Sequence, residues 1–169
     1  AFAPESWAAY RFTIAAAKLG HIIKTVCGDK VLGEALTAEA NQAWQWAELQ
    51  WPDMVEAAFA DDANGKERVP EASVNSSVVR ARVAAAASLY RATGETTARA
   101  VFDAHNPFAP RSVKGELSTR AGVYSDSSFD YLHAVREGRD FNPEVVVAMH
   151  DWTSGRLTRY KRMGADYGL

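Results

Sequence analysis

A lone cysteine, Cys27, leaves the chain with no internal disulfide and no cysteine-based zinc site. No apolar run approaches the roughly 18 residues of a membrane-spanning helix. The best candidate, residues 14–26, is broken by Lys18, His21 and Lys24. Neither sign of charge dominates. A formal net charge of −2 gives no general electrostatic pull toward nucleic acid or lipid, so neither is expected as a partner without a local patch. The opening residues Ala-Phe-Ala-Pro-Glu-Ser have no initiating methionine and no basic leader, and are read as a cut or processed start. A glycine-rich phosphate loop, a Gly-x-Ser-x-Gly elbow and a His-x-x-x-His pair are also missing. Nucleotide binding, serine-hydrolase chemistry and a helix-borne zinc site therefore lack support, and no cofactor or metal is expected.

What the chain has is alanine and helical periodicity. Its 169 residues, 47% hydrophobic and 24% charged, fall in the single-domain range. A compact domain of that size buries roughly 70% of its unfolded surface. The alanine content and the scarcity of β-branched runs predict one all-α domain over residues 1–169.

The most strongly patterned stretch runs from Ser76 to Glu95. Val79, Val83, Ala86 and Tyr90 recur at steps of four, three and four, which places them on one helix face. Ser76 and Ser77 are the expected N-caps and Gly94 the expected left-handed stop. The run Ala84 to Ala87 leaves room for close approach of a neighbouring helix.

Two helices precede it. Pro4, Glu5 and Ser6 start the first, in which Phe12, Ala15, Leu19, Ile22 and Val26 line one expected core face up to Gly28. Asp29 caps the second, where Leu32, Leu36, Ala40, Ala43 and Ala47 share a face and Trp51-Pro52 is the expected end. The very short link requires the two to fold back as an antiparallel hairpin. Residues 53–75 read as a long loop. A helix over residues 96–105 closes a second hairpin, and another runs from Asp126 to Glu137. Asn142-Pro143 opens a last one, carrying Val146, Met149, Trp152 and Tyr160. Three helical hairpins without a fixed sequence period result.

Chemistry-bearing candidates are few. Asp126 and Asp130, four apart, can face the same way, although helix capping and first-turn charge account for them. Asp61, Asp62, Asn64, Gly65, Glu67 and Glu71 resemble a calcium loop whose first ligand position is Ala60, which cannot coordinate. Arg156, Arg159, Lys161 and Arg162 form a basic cluster that could bind an anion, although their spread around the last helix favours a solvated face. Trp44, Trp46, Trp51, Tyr124, Phe129 and Tyr131 offer rings on which sugars stack, with core packing as the ordinary alternative. Trp44 and Trp46 point about 200° apart, so at most one faces any cleft.

Three segments together resemble the catalytic module of glycoside hydrolase family 9, the cellulase family built as an (α/α)6 toroid. These are Ala8 to Ala17, Ala43-Trp44-Gln45-Trp46-Ala47-Glu48 with Pro52, and Leu89-Tyr90-Arg91-Ala92-Thr93-Gly94-Glu95. The resemblance implies about three of six hairpins and hydrolysis of β-1,4-glucosidic bonds with inversion. It implies as partners a β-glucan or related oligosaccharide and the remainder of the module, and a secreted or periplasmic location. Tyr124, Phe129 and Tyr131 are the substrate-binding candidates. The family often has Trp and Glu where this chain has Ala84 and Ser88, which strips substrate contacts from that helix. Its general base in Asp-x-Gly-Asp and its general acid in Asn-Glu have no counterpart among these residues. No catalytic residue is therefore assigned, and the chain alone is expected to be inactive. Two rival readings remain. One is a helical-repeat interaction scaffold, from Tyr90, Gly94, Ala98, Phe102 and Pro110; the other is a different helical-toroid sugar enzyme, an epimerase or lyase.

Overall fold

The computed structural model describes residues 3–61, 70–106, 108, 125–151 and 154. Among them every regular element is helical and there is no strand. In chain order, α1 (Ala3–Ile22) runs into a π-helical turn (Ile23–Cys27) and is followed by α2 (Lys30–Asp61) and a 3-10 turn (Pro70–Ser73). Then come α3 (Ser76–Thr93), α4 (Thr96–His105), α5 (Ser125–Arg136) and α6 (residues 143–151).

Local chemistry explains most of the boundaries. Gly28 takes the left-handed conformation, φ 78°, and donates its N–H to the Ile23 carbonyl. Asp29 then accepts from the Leu32 amide at 3.0 Å, so one glycine and one cap suffice to turn the chain. Gly94, φ 79°, ends α3 in the same way, and the Glu95 side chain starts α4 by accepting from the Thr97 amide. Asn142 opens α6 by accepting from the Glu144 amide at 3.0 Å.

Three expectations need correction. Asn75, not Ser76 or Ser77, caps α3: its side chain accepts from the Ser77 amide at 2.8 Å, and both serines are already helical. Pro52 does not end α2, which continues to Asp61. Proline removes one ladder hydrogen bond, but Trp51 and Met54 on either side of it are both buried, and that packing carries the helix through. The expected loop of residues 53–75 is accordingly helical at its start and holds the 3-10 turn near its end; residues 62–69 lie outside the described set.

The third correction concerns which face of α1 is the core. Phe12, Leu19 and Ile22 are each about half exposed and Val26 is more so. Buried instead are Ser6, Tyr10, Thr13, Ala16, Ala17 and Gly20. Small residues win because α2 runs back along α1 at backbone contact. A Cβ on Gly20 would lie 2.8 Å from the Gly33 carbonyl oxygen, and one on Gly33 would lie 2.8 Å from that of Gly20. Thr13 donates across the seam to the Ala40 carbonyl at 3.3 Å. On α2 the face shifts likewise: Gly33, Ala40, Trp44, Ala47, Trp51 and Met54 are buried, while Leu32 is half exposed.

α3 is the centre. Eleven of its eighteen residues are buried, among them Val79, Val83, Ala86 and Tyr90 as expected. It packs on α1, α4 and α5, and less on α2. The alanines let these neighbours approach, while Leu89, Phe102 and Tyr131 supply bulk toward α4 and α5. Phe102 and Tyr131 stack with centroids 4.4 Å apart. On α6 the buried residues are Val145 and Met149, with Val146 only partly covered; Trp152 and Tyr160 lie outside the described residues.

Candidate functional site

One network of the polar side chains that the fold brings together runs across α1, α3 and α5. Helical spacing builds it. Lys18 and His21 are three apart on α1, Ser88 and Arg91 three apart on α3, and Asp130 and Glu137 two turns apart at α5 and its end, so three helices each present two neighbouring positions. Asp130 Oδ2 accepts from Ser88 Oγ at 2.7 Å and lies 3.1 Å from Lys18 Nζ, while its Oδ1 lies 3.5 Å from Arg91. Glu137 Oε1 accepts from Arg91 at 2.8 Å and faces His21 Nε2 at 3.5 Å.

Asp130 is 5% exposed and flanked by two cations. A carboxylate is kept in such a place by its partners, and here the hydroxyl and both cations occupy its two oxygens. For Glu137, burial works to raise the pKa, but the Arg91 hydrogen bond and charge, with His21 and His133, outweigh it and pull the carboxyl below its ordinary value. Glu137 is therefore poorly suited to donate a proton at neutral pH. Asp130 owes its place to this network and not to first-turn charge, since α5 already begins at Ser125. The side chain of Asp126 lies outside the described set.

A second network anchors α5 to α4 and to the segment before α6. The Tyr131 hydroxyl donates to Asp103 Oδ1 at 2.7 Å and accepts from the Asn142 amide at 2.9 Å. Arg99 holds the other Asp103 oxygen at 3.2 Å. Burial, above all, pushes the Tyr131 phenol well up, with the Asp103 carboxylate adding to the rise. The third network lies between α1, α2 and α3. Arg82 grips Glu48 through two bonds of 2.7 Å and covers the Trp51 ring at 4.2 Å, and Tyr10 donates to the same carboxylate at 2.8 Å. Burial, then the Glu48 charge, raises the Tyr10 phenol far above its ordinary value.

Of the three aromatic candidates, the two described ones, Phe129 and Tyr131, do not share one exposed face. Tyr131 is fully buried, a core residue with both hydroxyl functions used, so it offers no face to a sugar. Phe129 is 57% exposed and remains available for stacking. Tyr124 lies outside the described residues. Residues two apart on a helix diverge by about 200°, so Phe129 and Tyr131 were bound to separate, as Trp44 (buried) and Trp46 (exposed) do.

Among the described residues no group of three His, Cys, Asp or Glu side chains could hold a metal ion. Most of the calcium-like loop, from Asp62 to Glu67, and the basic set from Arg156 to Arg162 lie outside them. No described helix is long and apolar enough to cross a membrane. Lys18, Glu48, Arg82, Ser88, Arg91 and Glu137 stand in no motif that marks them in the sequence as network residues. The signal for Arg82 is its register: it stands three residues after Val79 and four before Ala86, on the helix face expected to be buried. Comparison with protein-family models, curated proteins and solved structures finds no match to this chain.

Proposed function

We propose that this chain is part of a polysaccharide-degrading hydrolase module of the family 9 cellulase type, supplying helical hairpins of an (α/α)6 toroid and not its catalytic carboxylates. One observation carries the reading. Two of the segments that resemble the family meet face to face, with the Tyr10 ring edge-on to Trp44 at 5.8 Å and its hydroxyl on Glu48. Glu48 in turn holds Arg82 on α3, the helix that carries the third segment. Inverting hydrolysis needs one neutral and one ionised carboxyl roughly 6.5–9.5 Å apart. Asp130 and Glu137 are both committed to cations, so the pair belongs to residues other than these. The repeat-scaffold alternative fits less well, because α1, α2 and α3 run 20, 32 and 18 residues, whereas two-helix repeats divide about 34 residues between both helices.

The test is calorimetric titration of the chain with cello-oligosaccharides, alongside reducing-sugar release from carboxymethyl cellulose. Weak binding that falls in Phe129→Ala, without turnover, is the expected outcome. Absence of any binding would remove the polysaccharide reading. Turnover abolished by Asp126→Asn or Asp130→Asn would place the catalytic pair in this chain and overturn the family assignment.

A further inference from the structure

Asn75-Ser76-Ser77 is an Asn-x-Ser triplet with no proline in the middle, the pattern that marks an acceptor for an N-linked glycan. The other asparagines lack it: Asn41, Asn64, Asn106 and Asn142 are followed two residues on by Ala43, Lys66, Phe108 and Glu144. Whether such a triplet is usable depends on where the fold puts it. A glycan is bulky and hydrophilic, so its acceptor has to stand at the surface with the carboxamide nitrogen open to solvent.

The fold puts this triplet at the entry to α3. Residues 75–77 are all exposed, and the buried Val74 and Val78 pin the backbone on either side of them. Asn75 is the N-cap of the helix, and its carboxamide has two ends with separate fates. Oδ1 accepts from the Ser77 amide at 2.8 Å, the single hydrogen bond that this side chain makes among the described residues. Nδ2, the atom that would carry a sugar, has no partner among them. The Ser77 hydroxyl, the group that completes the triplet, is likewise unengaged among the described residues, whereas the Ser76 hydroxyl meets Arg80 at 3.3 Å. Arg80 donates to the Ser76 carbonyl as well, at 3.0 Å. The neighbouring cation is thus engaged with the middle residue of the triplet, and both of the groups that glycosylation requires stay open.

We propose that Asn75 is a modification site, the residue at which this chain accepts an N-linked oligosaccharide. The co-reactant is an oligosaccharide carried on a lipid pyrophosphate, presented by a transferring enzyme. Asn75 Nδ2 forms a bond to the anomeric carbon of the first sugar. The bond from that carbon to the pyrophosphate oxygen breaks, and its electron pair leaves with the lipid pyrophosphate. One of the two Nδ2 protons passes to a base of the transferring enzyme, and no oxidant or reductant is needed.

The modified side chain keeps its structural task. It is still an amide, its carbonyl oxygen still accepts from the Ser77 N–H, and α3 remains capped. The hydrogen that the sugar replaces had no protein partner among the described residues, so no buried group is orphaned by the change. A bulky hydrophilic chain at this point also keeps the start of α3 in water in any assembly that the chain enters. The inference rests on residues 75–77 and is independent of the hydrolase reading.

The experiment is secretion of the full chain from a eukaryotic cell behind a cleavable leader, followed by intact mass measurement before and after peptide N-glycosidase. One glycan is expected, removed by the glycosidase to leave an aspartate at position 75 in the mapped peptide. Ser77→Ala is expected to abolish the modification while the helix stays capped, because the cap uses the backbone N–H of that residue and not its hydroxyl; circular dichroism checks that the variant is folded. Ser77→Thr is expected to retain the glycan. A folded, secreted chain with the mass of the bare polypeptide overturns the inference, as does a glycosidase-sensitive mass that survives in Ser77→Ala. The melting temperature gives a second readout. The glycosylated chain is expected to melt no lower than the glycosidase-treated one, and a lower value would show that the sugar displaces the cap, against the geometry on which the proposal rests.

Discussion

α1 and α3 carry the same apolar spacing and put it to opposite uses. In α3, Val79, Val83, Ala86 and Tyr90 form the centre of the core; in α1, Phe12, Leu19, Ile22 and Val26 face outward while Thr13, Ala16, Ala17 and Gly20 are buried. The difference comes from what lies on the far side of each helix. Opposite the large residues of α1 is a strip small enough for a second backbone, and Gly33 of α2 supplies the matching surface. α3 has helices on several sides and buries large and small faces together. Periodicity identifies a stripe; only the partner decides whether the stripe or its reverse is the core.

The largest effects test the α3 side. Arg82→Ala would leave Glu48 partly buried without its cation and remove the cover over Trp51. Breaking such a pair costs about 3 kcal/mol or more, and urea denaturation should show it. Phe102→Ala removes a fully buried ring stacked on Tyr131, with a comparable cost of about 3–5 kcal/mol. Next comes the α1–α2 seam. Gly20→Ala drives a methyl against the Gly33 backbone, costing about 1–3 kcal/mol as overpacking does. Restoration of stability by Gly20→Ala in a shorter-side-chain background such as Thr37→Ala would mean that the Thr37 hydroxyl, not the backbone, set the spacing.

Smaller effects follow from ionisation. Tyr131→Phe deletes one donor to Asp103 and the acceptor for the Asn142 amide, a loss of about 1–2 kcal/mol. The phenols of Tyr10 and Tyr131 are raised above 10.0, so their neutral forms favour the fold. That contribution is complete below pH 10 and is lost as pH rises beyond it toward the folded values. Glu137 has the opposite sign: its pKa is lowered from 4.5, so its contribution is present above that value and lost as pH falls through the lower folded one. A melting-temperature profile should decline at both extremes, and Glu137→Gln should reduce the acid decline without touching the alkaline one.

Much of the fold was legible where local chemistry decides. Gly28, Asp29 and Gly94 set their boundaries by backbone conformation and capping, and each could be read without any partner. The extent of α2 could not: Pro52 signals an end, and only the burial of Trp51 and Met54 against the rest of the molecule overrides it. The same holds for the polar residues. Asp130 is visible in the sequence as a carboxylate on a helix, but Ser88, Lys18 and Arg91 come from two other helices, so its role as an anchor is a property of packing. For Tyr131 the signal lies in its distance along the chain from Phe129. The two-residue step that separates Trp44 from Trp46 separates this pair as well.

The most direct measurement sets the two stripes side by side: guanidinium denaturation of Val83→Asn and Leu19→Asn, each against the unaltered chain. Val83 is fully buried and Leu19 is 49% exposed. The buried site should lose about 3 kcal/mol or more from a cavity and an unsatisfied amide, and the outward site less than about 1 kcal/mol. Equal losses at the two positions would contradict the account, because the outward stripe of α1 would then be core.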